Sequence, residues 1–157
     1  LYNRMRCEQD LGRYIAKAQA VNCEGALLYI DLDDFKHIND GLGHQYGDVL
    51  LKAISHSLQR IEGIEKSCYR MGGDEFVVAL QGEYTKEEMC QKLDGFMEKM
   101  RAFFAMNHEF KNLSVSIGVL LEKNNDGQVD VLLHKSDEAM YTAKKSGKNR
   151  YCFYDDI

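Results

Sequence analysis

At 157 residues, 45% of them hydrophobic, the chain is long enough to bury one sizeable core, and its formal net charge of −5 argues against a general binder of nucleic acid or anionic membrane. Any phosphate-bearing ligand must therefore be met by local cations. The five cysteines (Cys7, Cys23, Cys68, Cys90 and Cys152) are odd in number, dispersed and without a C-x-x-C pair, which suggests neither a disulfide framework nor a zinc site and points to a reducing cytoplasm.

No apolar run approaches the roughly 20 residues that span a bilayer, and no signal-peptide pattern opens the chain, so no direct membrane contact is expected. Proline is absent, and there is no repeat, linker or low-complexity stretch, so residues 1–157 read as a single domain. The opening Leu1-Tyr2-Asn3-Arg4, without an initiator Met, reads as a piece of something longer, and that parent protein is free to be membrane-anchored.

In chain order, Leu11, Tyr14, Ile15 and Ala18 recur at helical spacing and predict an amphipathic helix to about Gln19. Ala26 to Ile30 is short and continuously apolar, as in a strand buried on both faces, and it runs into Asp31 at the expected carboxyl edge of a sheet. A helical turn over 34–39 precedes the Gly41/Gly43 break, after which Tyr46, Leu50, Ile54, Leu58 and Ile61 define a longer helix face. Next come two strand-like runs, Ser67–Met71 and Phe76–Leu80, separated by Gly72-Gly73-Asp74-Glu75. Paired glycines between strands signal a tight hairpin. Thr85 and Glu88 form a capping box ahead of the stripe Met89, Leu93, Phe96, Met97, Met100 and Phe104. Leu113–Leu121 reads as a strand, Leu132 to Ala143 as a last helix ending near Gly147, and Tyr151–Tyr154 as a final strand. The expected fold class is α/β: a mixed, mostly antiparallel-edged central sheet flanked by helices, palm-like rather than doubly wound.

Two acidic groups stand out. Asp31-Leu32-Asp33-Asp34-Phe35-Lys36 ends a buried strand; its plain interpretation is a helix cap with a solvated lysine. The alternative is a hard-cation site, because Mg²⁺ takes carboxylate and carbonyl oxygens together with substrate phosphates. Asp74-Glu75 reads either as an exposed polar turn or as two crowded carboxylates that a divalent cation would relieve. If the 26–31 strand neighbours the hairpin, Asp31 is expected to meet Asp74 across the sheet, giving a metal site of the kind used in phosphoryl and nucleotidyl transfer.

The chain resembles a GGDEF domain, the catalytic domain of diguanylate cyclases, whose palm is similar to that of class III nucleotide cyclases and some polymerases. The resemblance rests on six ordered blocks. These are Leu1-Tyr2-Asn3-Arg4; Asp31-x-Asp33-x-Phe35-Lys36-x-x-Asn39-Asp40; Gly43-His44-x-x-Gly47-Asp48; Gly72-Gly73-Asp74-Glu75-Phe76; Ser114-Val115-Ser116-Ile117-Gly118; and Ala139-Met140-Tyr141-x-Ala143-Lys144-x-x-Gly147-x-Asn149-Arg150.

The resemblance implies that Asp31, the Leu32 carbonyl and Asp74 hold Mg²⁺ (or Mn²⁺), with Glu75 a second-metal ligand or a participant in activating a 3′-hydroxyl. It implies that Asn39 and Asp48 read guanine, with His44, Phe35 and Gly72 in the same nucleotide-binding region. It further implies that Lys36, Lys144, Arg70 and Lys148 surround a triphosphate, although Lys144, Lys145 and Lys148 also suit the negative end of the last helix. The implied reaction joins two GTP into cyclic di-GMP with release of two pyrophosphates, and its two-fold symmetric product implies a homodimer. An upstream sensory domain is implied for the parent.

Two departures from the family pattern are present. Gly63-Ile64-Glu65-Lys66 stands where many members carry the Arg-x-x-Asp product-inhibition site, so feedback binding there is not expected. Lys148 replaces the usual Arg and loses its bidentate fork. The other readings are a catalytically silent GTP-binding or dimerisation domain, and a palm enzyme making a different cyclic product.

Overall fold

The computed structural model describes residues 2–21, 25–35, 44–59, 66–72, 74–81, 84–106, 108–122 and 129–157. Its elements are β1 (Tyr2–Asn3), α1 (Arg4–Val21), β2 (Gly25–Asp33), α2 (His44–Gln59), β3 (Lys66–Arg70), β4 (Glu75–Gln81), α3 (Lys86–Met106), β5 (Ser114–Glu122), α4 (Val129–Lys145) and β6 (Arg150–Phe153). Short 3-10 turns follow at His108–Phe110 and Tyr154–Asp156. The helix turn expected over 34–39 is described only at its start, and residues 36–43, with Lys36 and Asn39, lie outside the described residues, as does Gly73.

The strands form one six-stranded sheet in the order β1-β3-β4-β2-β5-β6. It is mixed, as expected, and the antiparallel pairings β3–β4, β4–β2 and β2–β5 occupy its interior. Both edge pairings, β1–β3 and β5–β6, are parallel, the reverse of the expected antiparallel edges. Each edge strand is joined to the sheet through a helix, α1 leaving β1 and α4 leading into β6, and such helical crossovers let an edge strand run in the same direction as its neighbour.

The alternation of side chains across β2 divides the core into two layers. Ala26, Leu28, Ile30 and Leu32 face α2 and α3, packing with Leu50, Ile54, Met89, Leu93, Phe96, Met97 and Met100. Leu27 and Tyr29 face α1 and α4, packing with Cys7, Leu11, Leu132, Leu133 and Met140. With helices on both faces, β2 is buried along nearly its whole length, which accounts for the unbroken apolar run. The N-cap half of the capping box forms, the Glu88 N–H donating to Thr85 Oγ1 at 3.1 Å, and the Thr85 hydroxyl donates to Glu88 Oε1 at 3.1 Å.

One glycine sets the spacing between sheet and helix. A Cβ on Gly118 of β5 would lie 2.1 Å from the Ser136 carbonyl oxygen and 2.3 Å from the Met140 nitrogen. Only a residue without a side chain lets α4 come this close. The close approach brings the far end of α4 to the carboxylate end of β2. Among the described residues, no helix is long and apolar enough to cross a membrane.

Candidate active site

β2 runs two residues past Asp31, so Asp31 is not the strand's last residue; Asp31 and Asp33 both lie on the face that carries Leu27 and Tyr29. Opposite them on β5 stand Ser116 and Ser114. Asp33 has no solvent exposure, and its carboxylate accepts from the hydroxyls of Ser114 and Ser116, the latter at 2.9 Å, and from the Asn149 N–H at 3.3 Å. Lys144 Nζ stands 3.4 Å from Asp33 Oδ1 and 3.0 Å from Asp31 Oδ2. A buried carboxylate needs such a set of donors to remain charged.

Asp31 is treated differently. It is 8% exposed, and its Oδ1 is buried with no hydrogen-bond partner among the described residues. Burial pushes its carboxyl up, the negative charges of Asp74 and Glu75 push the same way, and Lys144 pulls it back, leaving it at about 6. For Lys144, burial opposes the charged form, but hydrogen bonds and charge from Asp31 and Asp33 outweigh it and hold the ammonium above its ordinary value.

The hairpin separates the two acidic residues that sit side by side in sequence. The Met71 N–H donates to the Glu75 carbonyl at 2.9 Å, so Asp74 belongs to the bend and Glu75 opens β4. The residue facing Asp31 in register is Glu75, not Asp74. Asp74 instead adjoins Leu32, whose N–H donates to the Asp74 carbonyl at 3.1 Å, while the Leu32 side chain is buried in the α2/α3 layer. Glu75 Oε2 accepts a 2.9 Å hydrogen bond from the Tyr29 hydroxyl. Arg70, at the end of β3, is exposed and donates through Nε to the Gly72 carbonyl at 3.1 Å. Phe35 is buried with the α2/α3 core. His44 and Asp48 fall in the first turns of α2, but their side chains lie outside what is described.

The second wall is the turn after α4. Gly147 N–H to Lys144 O (3.3 Å) and Lys148 N–H to Ala143 O (3.1 Å) make the double bond pattern of a Schellman cap, with Gly147 at φ 128°. Lys148 and Asn149 continue at positive φ, 62° and 51°. This reversal presents the Asn149 N–H to Asp33 and brings Lys148 Nζ to 3.4 Å from Asp34 Oδ1. Arg101 of α3 holds the turn from outside through Asn149 Oδ1 and O, each at 3.2 Å.

The structure thus gathers Asp31, Asp74, Glu75 and Lys144 at one end of β2 and β4, with Lys148 at the rim. Asp33 with its two serines, Tyr29, Asn149 and Asp34 join them without having been assigned roles from sequence. The alternation Asp-x-Asp against Ser-x-Ser was the available signal, but it acquires meaning only once the β2–β5 register is known.

No three His, Cys, Asp or Glu side chains converge into a ready-made metal cluster among the described residues. What is present is an orphaned, buried carboxylate oxygen beside two further carboxylates. That donor set is incomplete for a protein-only cage but fits Mg²⁺, which keeps open positions for water and phosphate oxygens.

The sequence model described as "Diguanylate cyclase, GGDEF domain" matches residues 1–150, and the chain belongs to that family. Among curated proteins it is 32% identical over 152 residues to the diguanylate cyclase DgcS of Shewanella oneidensis, covering 96% of this chain and 49% of that protein. It is 31% identical over 157 residues to the bifunctional diguanylate cyclase/cyclic di-GMP phosphodiesterase MucR of Pseudomonas aeruginosa, covering 99% of this chain and 22% of that protein. The chain therefore spans at most about half the length of these relatives. Among solved structures, the active GGEEF domain of a diguanylate cyclase from Vibrio cholerae superposes with a TM-score of 0.81 at 29% identity, covering 98% of this chain and 97% of that one.

Proposed function

We propose that this chain is a diguanylate cyclase domain that condenses two GTP into cyclic di-GMP and two pyrophosphates. The observation that carries the reading is Asp31, a buried carboxylate with one oxygen on Lys144 and the other without a partner among the described residues, adjoining the Asp74 bend. A purely structural aspartate in that position would have been satisfied, as Asp33 is.

Asp31, the Leu32 carbonyl and Asp74 would hold Mg²⁺ or Mn²⁺, with Glu75 beside them. When bound, such an ion lowers the pKa of an attacking hydroxyl and neutralises charge on phosphate oxygens. Lys144 offsets the negative charge of Asp31 and Asp33, and its ammonium would turn from Asp31 to a triphosphate oxygen. Arg70 and Lys148, with Lys36, supply the remaining positive charge around the leaving pyrophosphate. Asn39 and Asp48 read guanine through its N1–H and N2–H₂ donors.

Two new phosphodiester bonds form, each from one nucleotide's 3′-oxygen to the other's α-phosphorus, and each breaks an α–β phosphoanhydride bond. With one GTP per domain, two copies must face each other. With Gly63–Lys66 in place of Arg-x-x-Asp, product is not expected to inhibit from that side. Residues 1–157 form a single catalytic domain within a longer signalling protein whose upstream part holds the sensor.

The test is incubation of the purified domain, fused to a dimerising coiled coil, with GTP, ATP or both plus Mg²⁺, followed by mass analysis. Cyclic di-GMP from GTP alone, lost in Asp74→Ala, is the expected result. GTP binding without any cyclic dinucleotide would establish the silent-domain reading, and a mixed or single-nucleotide product would establish a different cyclase.

A further inference from the structure

We infer that Tyr29 is a positioning residue that holds Glu75 in the cation site, an inference that rests on the cyclase reading above. In register, Tyr29 of β2 faces Val77 of β4, so Glu75 is its diagonal neighbour on the same face of the sheet. A diagonal pair lies within reach of an aromatic side chain, and the hydroxyl covers the distance, ending 2.9 Å from Glu75 Oε2.

The ring has little freedom to do anything else. Tyr29 is 4% exposed and packs in the layer formed by Cys7, Leu11, Leu132 and Met140. Its neighbour on β5 is Gly118, the position against which α4 packs.

Glu75 needs such an anchor. It shares one sheet face and one register position with Asp31, which repels it, and being only partly buried it has solvent to escape into. Fixing Oε2 on Tyr29 keeps the carboxylate at the site and leaves Oε1 uncommitted by that bond. Replacing the phenol with a ring that cannot donate should free Glu75 while leaving the packing in place. The consequence belongs to cation binding and turnover, not to recognition of the nucleotide base.

The experiment is a Mn²⁺ titration followed by electron paramagnetic resonance, with and without a non-hydrolysable GTP analogue, on wild type, Tyr29→Phe, Glu75→Gln and the double variant. Tyr69→Phe serves as the control, since it removes another buried tyrosine hydroxyl from a carboxylate, Asp10, in the same layer. We expect Tyr29→Phe to weaken Mn²⁺ about tenfold and to lower kcat by a similar factor with the GTP KM within about twofold. No further loss is expected in the Glu75→Gln background, and Tyr69→Phe should leave Mn²⁺ affinity unchanged. Unaltered Mn²⁺ affinity in Tyr29→Phe, or an equal loss in the Glu75→Gln background, would overturn the inference. Because the titration reads binding and not turnover, it gives its answer whether or not wild type makes product. Absence of product from wild type counts against the cyclase reading alone.

Discussion

Asp31 and Asp33 share one face of one strand, both are buried, and both touch Lys144, yet their surroundings are opposite. Asp33 is enclosed by Ser114, Ser116 and the Asn149 N–H, and it ties β2, β5 and the turn after α4 into one piece. Asp31 has one oxygen without a hydrogen-bond partner among the described residues and two further carboxylates nearby. On the proposed reading, the difference separates a residue that builds the site from a residue that the site would use. Asp10, on α1, resembles Asp33: it is buried and accepts from Tyr69 at 2.6 Å, from Arg6 at 3.0 Å and from Arg13.

Substitution of the two aspartates sharpens the comparison most. Asp31→Asn should bring cyclic di-GMP formation to background, whereas thermal unfolding at pH 8 without metal should show no loss of stability, because a penalised charge has been removed. Asp33→Asn should instead destabilise the fold by about 3 kcal/mol, since it weakens a buried charged hub that Lys144 shares. Calorimetry on both variants checks this, and equal destabilisation would erase the distinction.

Gly118→Ala tests whether the close approach of α4 assembles the site. A methyl group there would overlap backbone of α4, so stability should fall by about 1–3 kcal/mol and activity should fall with it as Lys144 is displaced. Denaturant unfolding and turnover measured on the same preparation would show whether the two losses move together.

The two kinds of carboxylate should also part company with pH. The Asp31 carboxyl is raised to about 6 in the folded state, so its favourable contribution is present in acid and is lost as pH rises through about 6. Asp10 is held below the usual carboxylate range, chiefly by the Tyr69 hydroxyl and then by Arg6 and Arg13, against the effect of burial. Its contribution is present at neutral pH and is lost as pH falls through its lowered value. Stability against pH for Asp31→Asn and Asp10→Asn should therefore differ from wild type in opposite directions. Protons should also compete with Mn²⁺ below about pH 6 in wild type.

The smallest effect is expected at the rim. Asp34 and Lys148 are both substantially exposed, so Asp34→Asn should change stability by less than about 1 kcal/mol. Because the same change frees Lys148 for phosphate, the GTP KM should fall modestly, by about twofold.

Much of this architecture was legible before any coordinates. The apolar run into Asp31, the glycine-broken hairpin, the Thr85/Glu88 cap and the stripe of α3 each follow from local periodicity or turn chemistry, and local signals do not depend on the partner strand. What stayed hidden depends on register. Nothing local says that Asp31 faces Glu75, that Asp33 faces Ser114, or that Tyr29 reaches diagonally to Glu75. The two-residue β1 is too short to carry a periodic signal, and it exists because it pairs with β3. Gly118 read as one letter of a motif, and its reason lies in a helix backbone some twenty residues later.

The most direct measurement is cyclic di-GMP production from GTP and Mg²⁺ by the coiled-coil-dimerised domain, wild type beside Asp31→Asn, with folding of both verified. Product from wild type and none from the equally stable variant is the predicted result. Product from Asp31→Asn at the wild-type rate, or none from a wild type shown to be dimeric and to bind GTP, would contradict the account.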